Sequence, residues 1–449
     1  MPGFQRIPEL QDPQEMATII PPRLRLTSLD QFRGYTVAGM FLVNFLGSFA
    51  ATPFLLKHHL VFCSYADTIM PQFFFAVGFS MRLSFSHRVE ATGAGKAYWH
   101  AVNRCLGLAI IAIVWYGGRP YLPDGVKFEW NSLKEIGLWG AVWKQLKVDW
   151  FQTLLHIAAT SLWILPVICK PVRWRILFLV TSAVLHFGLN QFFYFQWHNG
   201  ETTGIDGGPL GFLTWCIPTL VGTFACDLVT QFRAGEMTVK TVVRRMVSWS
   251  VLMMVIGWGM SCGTRLYDVA DDLDANTRAS LPVLSPAGVV PPKEAIDRWL
   301  SHLRAGHWDR IFAEPPFVPP PHSRDTETVN GRDTSVNRSA QYRQWNYWMM
   351  SQQCGSISYL TFTAGVSLAV FCLFFLLSDV FGTQIGVFRT LGVNAMFGYF
   401  LHSIVESGVK SFMPSDIAVI PMWIGFSVYF FLCWLMLRHL ENNRIFLKL

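Results

Sequence analysis

The sequence predicts an all-α fold, a polytopic membrane helical bundle of about ten transmembrane helices with both termini cytoplasmic. Three observations lead there. Of 449 residues, 52% are hydrophobic and only 14% are charged, against about 25% charged in an ordinary soluble domain. Ionisable groups are too few to wet the surface of a soluble chain of this length. Apolar stretches close to the roughly 20 residues needed to cross a bilayer recur along most of the chain. Lys and Arg collect in alternate loops between those stretches, as cytoplasmic loops do. The 37 Phe and 18 Trp suit lipid-facing helices with interfacial belts. The net charge of +7 is not read as a nucleic-acid footprint, because no basic run is interleaved with aromatics.

The stretches centre on 34–52, 67–86, 104–118, 151–169, 176–196, 211–230, 246–263, 357–377, 388–406 and 418–437. A further pass through 132–146 is too polar to count. On one side fall Arg23, Arg25 and Arg33, then Arg82, Arg88, Lys96 and Arg104, then Lys170, Arg173 and Arg175. The same side continues with Arg233, Lys240, Arg244, Arg245, Arg389, Arg438, Arg444 and Lys448. The opposite loops hold Lys57, the aromatic segment 119–150, the Gly-rich 198–210 stretch and a long insertion. The chain therefore divides into a cytoplasmic tail (1–26), a first membrane part of about seven helices (27–263), a Pro-rich extracytoplasmic loop with little core of its own (264–350) and a last part of about three helices (351–449). Residues 1–22 lack an apolar run, so no cleavable signal is expected and the first helix stays as an anchor.

Nine Cys are scattered without a CxxC or a zinc-type His spacing, so no metal is expected. Cys262 and Cys354, at the two outer ends of the insertion, are the one pair for which a disulfide is entertained. GxxxxGK[ST], GxGxxG after a strand and HExxH are all absent, which removes the main support for ATP-driven transport, dinucleotide chemistry and zinc proteolysis.

Polar groups at membrane depth are costly and therefore mark the place to look for chemistry. Asp30 and Arg33 lie three apart on the first helix and can pair there or form a cationic mouth for a phosphate-bearing ligand. Asn44 lies about three turns further in, placed for a helix–helix hydrogen bond or a ligand. His58 and His59 stand just outside the first span, shortly before Asp67. A His with a near-neutral pKa beside a carboxylate makes a general base for an amine or hydroxyl. Asp67 also reads as the N-cap of the helix it opens, with Pro71 in its first turn. Asn394 and His402, eight residues apart in the ninth span, face broadly the same side. His156 is a lone His inside the fourth span. The segment from Trp197 through Asp206 to Pro209 has the composition of a turn, or of a cap over a sugar-sized acceptor.

These residues carry a family likeness. Ser28-Leu29-Asp30-Gln31-Phe32-Arg33-Gly34, followed by Leu42-Val43-Asn44, resembles the opening signature of the heparan-alpha-glucosaminide N-acetyltransferase family of transmembrane acyltransferases. Three more patches follow in the family's order: His58-His59 then Ala66-Asp67 through Pro71-Gln72-Phe73 to Gly78; Asp206-Gly207 with Leu210-Gly211, Ile217-Pro218 and Gly222; and Ser356 to Gly365 with Asp379-Val380 and Gly392-Val393-Asn394-Ala395-Met396. Leu60 to Cys63 replace the family's usual Trp and Gly, the spacing to Asp67 is shorter, and the Pro-rich insertion lies outside the pattern.

The resemblance implies an enzyme that takes acetyl-CoA from the cytoplasmic side and delivers acetyl to an amine on the far side, such as an amino sugar or glycan. It implies His58 or His59 as the catalytic residue, with Asn44 as its partner and Asp67 close by. Arg33 and Asp30 then serve the donor, and Asp206, Asn394 and His402 the acceptor. No cofactor is bound permanently, since acetyl-CoA is a substrate. The expected partners are acetyl-CoA, the acceptor, the lipid bilayer and a second copy of the chain. Two rivals remain open: a transporter or exporter of a sugar or lipid-linked glycan, and a degenerate relative acting as an assembly subunit.

Overall fold

The computed structural model describes residues 26–59, 61–117, 129–200, 203–268, 288–318, 327–329, 332–334 and 343–447. The expected tail (1–26), with Arg23 and Arg25, therefore lies almost wholly outside the described residues, as do Leu60, Lys448 and the Pro cluster at 319–321. Helices follow in the order α1 (Thr27–Leu46), α2 (Tyr65–Thr92), α3 (Ala94–Tyr116), α4 (Trp130–Lys144), α5 (Thr153–Ile164), α6 (Val172–Leu189), α7 (Phe195–Asn199), α8 (Phe212–Arg233) and α9 (Val239–Ser261). After them come α10 (Lys293–Ala305), α11 (Ile357–Phe374), α12 (Gly386–Val393), α13 (Ala395–Lys410) and α14 (Val419–Asn442). The one ribbon among the described residues pairs β1 (Glu327–Val329) antiparallel with β2 (Arg332–Thr334).

Six segments are long and apolar enough to cross a membrane, and a seventh counts if the pair Val142–Asp149 and Thr153–Val167, bent by 90°, is one broken span. The chain is a multi-pass integral membrane protein. All ten expected stretches fall at least in part on helices, but the remaining ones are shorter or less apolar. The ninth is not one helix: Asn394 (φ −117°, ψ 38°) interrupts it between α12 and α13. The expectation that Asn394 and His402 share a helix face is corrected by this break, because the eight-residue count assumed an unbroken turn.

Glycines let the central helices touch backbone to backbone, as small residues do where lipid gives no hydrophobic drive. A Cβ on Gly78 of α2 would run into the Thr219 carbonyl of α8, and one on Gly222 of α8 into the Phe75 carbonyl of α2. Around this pair Phe32 meets Phe75, Phe371 and Phe374 edge to face, joining α1, α2 and α11.

One end of the bundle is tied by buried charges. Arg175 is fully buried and donates to Asp227 and, at 2.7 Å, to Thr223 Oγ1, while Arg82 donates to Asp227 at 2.9 Å. Arg233 meets Asp379 at 3.6 Å, and Asp379 accepts from Ser28 Oγ at 2.6 Å. Thr390 donates to Glu441 at 2.7 Å, so the start of α1 and the end of α14 lie at this same end. Arg82 and Arg175, grouped by sequence with the cytoplasmic loop cations, are both engaged by one carboxylate, Asp227. The opposite end carries His58.

The insertion at the His58 end is not an open loop where it is described. Arg343, buried, donates to Asp268 at 2.5 Å and to Glu314 at 3.0 and 3.3 Å, and Arg265 reaches both carboxylates. Val289, Trp345, Tyr347 and Met349 pack with Phe195 in a small core. The Cys262–Cys354 disulfide is not formed. Cys354 Sγ donates to Asn199 Oδ1 at 3.0 Å, whereas Cys262 Sγ donates to the Trp258 carbonyl at 3.4 Å.

Candidate active site

Ser64 and Asp67 form a capping box, Ser64 Oγ accepting from the Asp67 N–H and Asp67 Oδ2 accepting from the Ser64 N–H at 2.9 Å. Ser64 is thus the N-cap; Asp67, expected there, sits three residues later because its carboxylate folds back onto the cap. Pro71 is the seventh helical residue, not a first-turn one. Proline has no N–H to give the carbonyl four residues earlier, which leaves the Asp67 carbonyl open, and the Tyr359 hydroxyl of α11 donates to it at 2.5 Å. Cap and tyrosine together fix Asp67 in place.

With Oδ2 held by Ser64, the other carboxylate oxygen points outward, and His58 Nδ1 meets it at 2.9 Å. A proton on Nδ1 leaves Nε2 with a lone pair, the tautomer a general base needs. The His58 side chain is 48% exposed, while Asp67 is buried. Partial burial works against charge on the ring, but the Asp67 carboxylate, with Asp206 and Gln352 behind it, outweighs this and raises the His58 pKa above 6.5.

His59 is separated from this chemistry. Its Nε2 donates to the Phe54 carbonyl at 2.8 Å, and its ring lies between Phe54 and Phe62. Burial lowers its pKa. The two adjacent histidines, equivalent in sequence, divide into one facing outward on a carboxylate and one packed inward.

Asp206 comes to the same place from the α7–α8 connection. It adopts a left-handed backbone (φ 53°), uncommon for a residue other than Gly, followed by Gly207 at φ 84°. Gly207 N–H bonds the Gln353 carbonyl at 2.8 Å, which draws in the segment before α11 and lets Gln352 Nε2 donate to Asp206 Oδ1 at 3.0 Å. Burial pushes the Asp206 pKa to about 6, with the Gln352 hydrogen bond and His58 holding it down. The Gln352 amide oxygen is buried without a full hydrogen bond and lies near enough to His58 to favour its protonated form.

On the other side of this cluster a cavity of about 200 Å³ runs along α2. Its mouth carries Arg33, Arg88, His100 and Arg104, and its far wall Phe73, Thr153 and Tyr399. From Arg88 to Phe73 is 15 residues, about 22 Å of helix, and Phe73 is six residues, about 9 Å, from Asp67. Met70 stands between: Thr153 Oγ1 contacts its sulfur at 3.7 Å, and Gln352 Nε2 at 3.5 Å. Asp30 pairs with Arg33 at 3.9 Å; of the two expected donor-side residues, Arg33 lines the cavity and Asp30 does not.

The remaining expected residues lie elsewhere. Asn44 Nδ2 bonds His402 Nε2 at 3.1 Å, and His402 Nδ1 meets the Tyr399 carbonyl at 2.5 Å. These two reach the cavity wall through Tyr399, not His58. Asn394 donates to the Ile445 carbonyl at 3.1 Å, at the Arg82 end, so it and Asp206 do not meet around one acceptor. His198 and Asn199, expected on an open turn, are buried. His156 is buried too, its ring edge to face with Phe151.

Sequence reasoning missed Ser64, Met70, Thr153, Gln352 and Tyr359. The Ser-x-x-Asp spacing at 64–67 signals the box, and Pro71 announces a free carbonyl at 67. Nothing local marks Gln352, which arrives from the far side of the insertion. No protein-family model matches the chain, and no curated protein matches it.

Proposed function

We propose that the chain is a membrane-embedded acyltransferase that moves an acetyl group from cytoplasmic acetyl-CoA to an amino sugar or glycan on the extracytoplasmic side. One observation carries this reading: a cavity with a basic mouth runs along α2 and stops, behind Met70, short of a His–Asp pair on the same helix. On this reading the mouth and both termini are cytoplasmic, as the loop charges favour, and the chain crosses the membrane ten times. Arg33, Arg88 and Arg104 suit the phosphates of the donor, and the cavity suits its acyl-bearing arm.

In the reaction, the acceptor nitrogen attacks the thioester carbonyl while His58 Nε2 takes the proton that the nitrogen loses. The C–N bond forms, the C–S bond breaks, and the imidazolium returns its proton to the leaving thiolate. Asp67 holds the tautomer and stabilises the imidazolium. Asp206 and Gln352 line the acceptor side. Asn44 and His402 act on the cavity wall through Tyr399.

Replacing Arg88 and Arg104 together by Ala is expected to raise KM for acetyl-CoA roughly tenfold or more while kcat changes little, since a charge-assisted hydrogen bond contributes about 1.5–3 kcal/mol. Initial-rate kinetics on the purified protein check this, and an unchanged KM contradicts the placement of the donor. A second reading, a transporter for a sugar or lipid-linked glycan, draws support from the 90° bend before α5 and the break at Asn394, because transporters place sites at discontinuous helices. It expects substrate flux with no acetyl-CoA consumed.

A further inference from the structure

The connection between α9 and α11 carries more exposed apolar surface than a water-facing loop needs. On α10, Ala295 and Trp299 turn inward, Ile296 and Leu303 stand exposed beside them, and Lys293, Asp297 and Ser301 occupy the opposite side. Beyond the helix Trp308 is 57% and Phe312 44% exposed.

This surface continues the exposed apolar face of a segment long and apolar enough to cross a membrane. Val251 and Val255 are exposed on α9, within a membrane-crossing segment, and Trp258 follows one turn later on the same face. The Trp258 ring stacks on Phe312 (5.5 Å, 17°), and Phe312 stacks on Trp308 (6.1 Å, 18°). Arg265 Nε holds the ridge by donating to the Phe312 carbonyl at 2.7 Å. A ladder of aromatic rings at the end of a spanning helix, beside an amphipathic helix, is the pattern of an element lying in the bilayer interface.

We infer that residues 288–318 form a membrane-surface element whose α10 apolar face and Trp308–Phe312 ridge seat in the phospholipid leaflet at the His58 end. The seat is tied to the candidate site. Phe317 takes a left-handed backbone (φ 66°), its N–H bonds the Cys63 carbonyl at 2.9 Å, and Cys63 adjoins the Ser64 cap. The inference stands whether or not the site transfers acetyl groups.

The test uses the full chain in phospholipid nanodiscs, with the exposed Cys169 replaced by Ser and a nitroxide on Trp308→Cys, Leu303→Cys or Ser301→Cys. All three are surface positions, and labelling of the Cys169→Ser parent alone sets the background. The labels at 303 and 308 are expected to collide more with oxygen than with a water-soluble nickel chelate, and the label at 301 to show the reverse. Collision behaviour typical of water at all three positions would overturn the inference. So would spin–spin broadening at 303 or 308, which would mean that a second copy covers the face.

Discussion

His58→Ala is expected to lower acetyl transfer roughly 10²- to 10⁴-fold, the usual worth of a positioned general base, with little change in the thermal unfolding midpoint. The side chain is half exposed, and Asp67 keeps its contacts with Ser64 when the ring is gone. His59→Ala is expected to behave in the opposite way. It removes a buried ring from between Phe54 and Phe62 and one of the two donors to the Phe54 carbonyl, which keeps the Lys57 N–H, a loss of about 1–3 kcal/mol. Its kcat per folded molecule should stay near that of the parent. Turnover and unfolding measured on both variants separate the two roles; equal turnover for parent and His58→Ala would remove His58 from the chemistry.

Asp67→Asn is expected to be nearly as damaging, with roughly a 10²- to 10⁴-fold loss. An amide at this position must turn its NH₂ either toward the Ser64 N–H or toward His58 Nδ1. One choice breaks the capping box and the other turns the imidazole to the wrong tautomer. The pH dependence gives a second readout. The His58 pKa is raised above 6.5 by its carboxylate neighbours, so the neutral, competent base is lost as pH falls through that raised value. Removing the Asp67 charge should move the acid limb of kcat/KM to lower pH. Asp206→Asn should move it the same way by less, and because Asp206 itself titrates at about 6, the limb in the parent belongs to the pair. An acid limb that stays in place in Asp67→Asn would separate the observed titration from His58.

Much of the architecture is legible in the sequence because the bilayer forces it. The expected apolar stretches all fall on helices, the first ending at Leu46 and the ninth broken at Asn394. What periodicity could not anticipate is where a helix breaks: Asn394 lies inside an apolar run, and only contact with the C-terminal segment through Ile445 gives its amide a role. The His58–Asp67 pair was within reach because nine residues of chain connect its members. Gln352 is 146 positions from Asp206, and Asn44 is 358 from His402, so these pairings depend on packing that local pattern does not encode. The cavity was foreshadowed only at its mouth, through Arg33, since its walls are drawn from α2, α3, α5 and α13.

The central claim is that one cavity feeds one His–Asp pair across the membrane. It is tested most directly in sealed proteoliposomes of known orientation, with labelled acetyl-CoA on the side of the Arg33–Arg104 mouth and an amino sugar enclosed on the side of His58. The account expects labelled acetyl amino sugar to accumulate in the His58 compartment, free CoA to appear in equal amount on the other side, and both to vanish in His58→Ala. Passage of unmodified amino sugar with acetyl-CoA left intact would contradict it and establish a transporter.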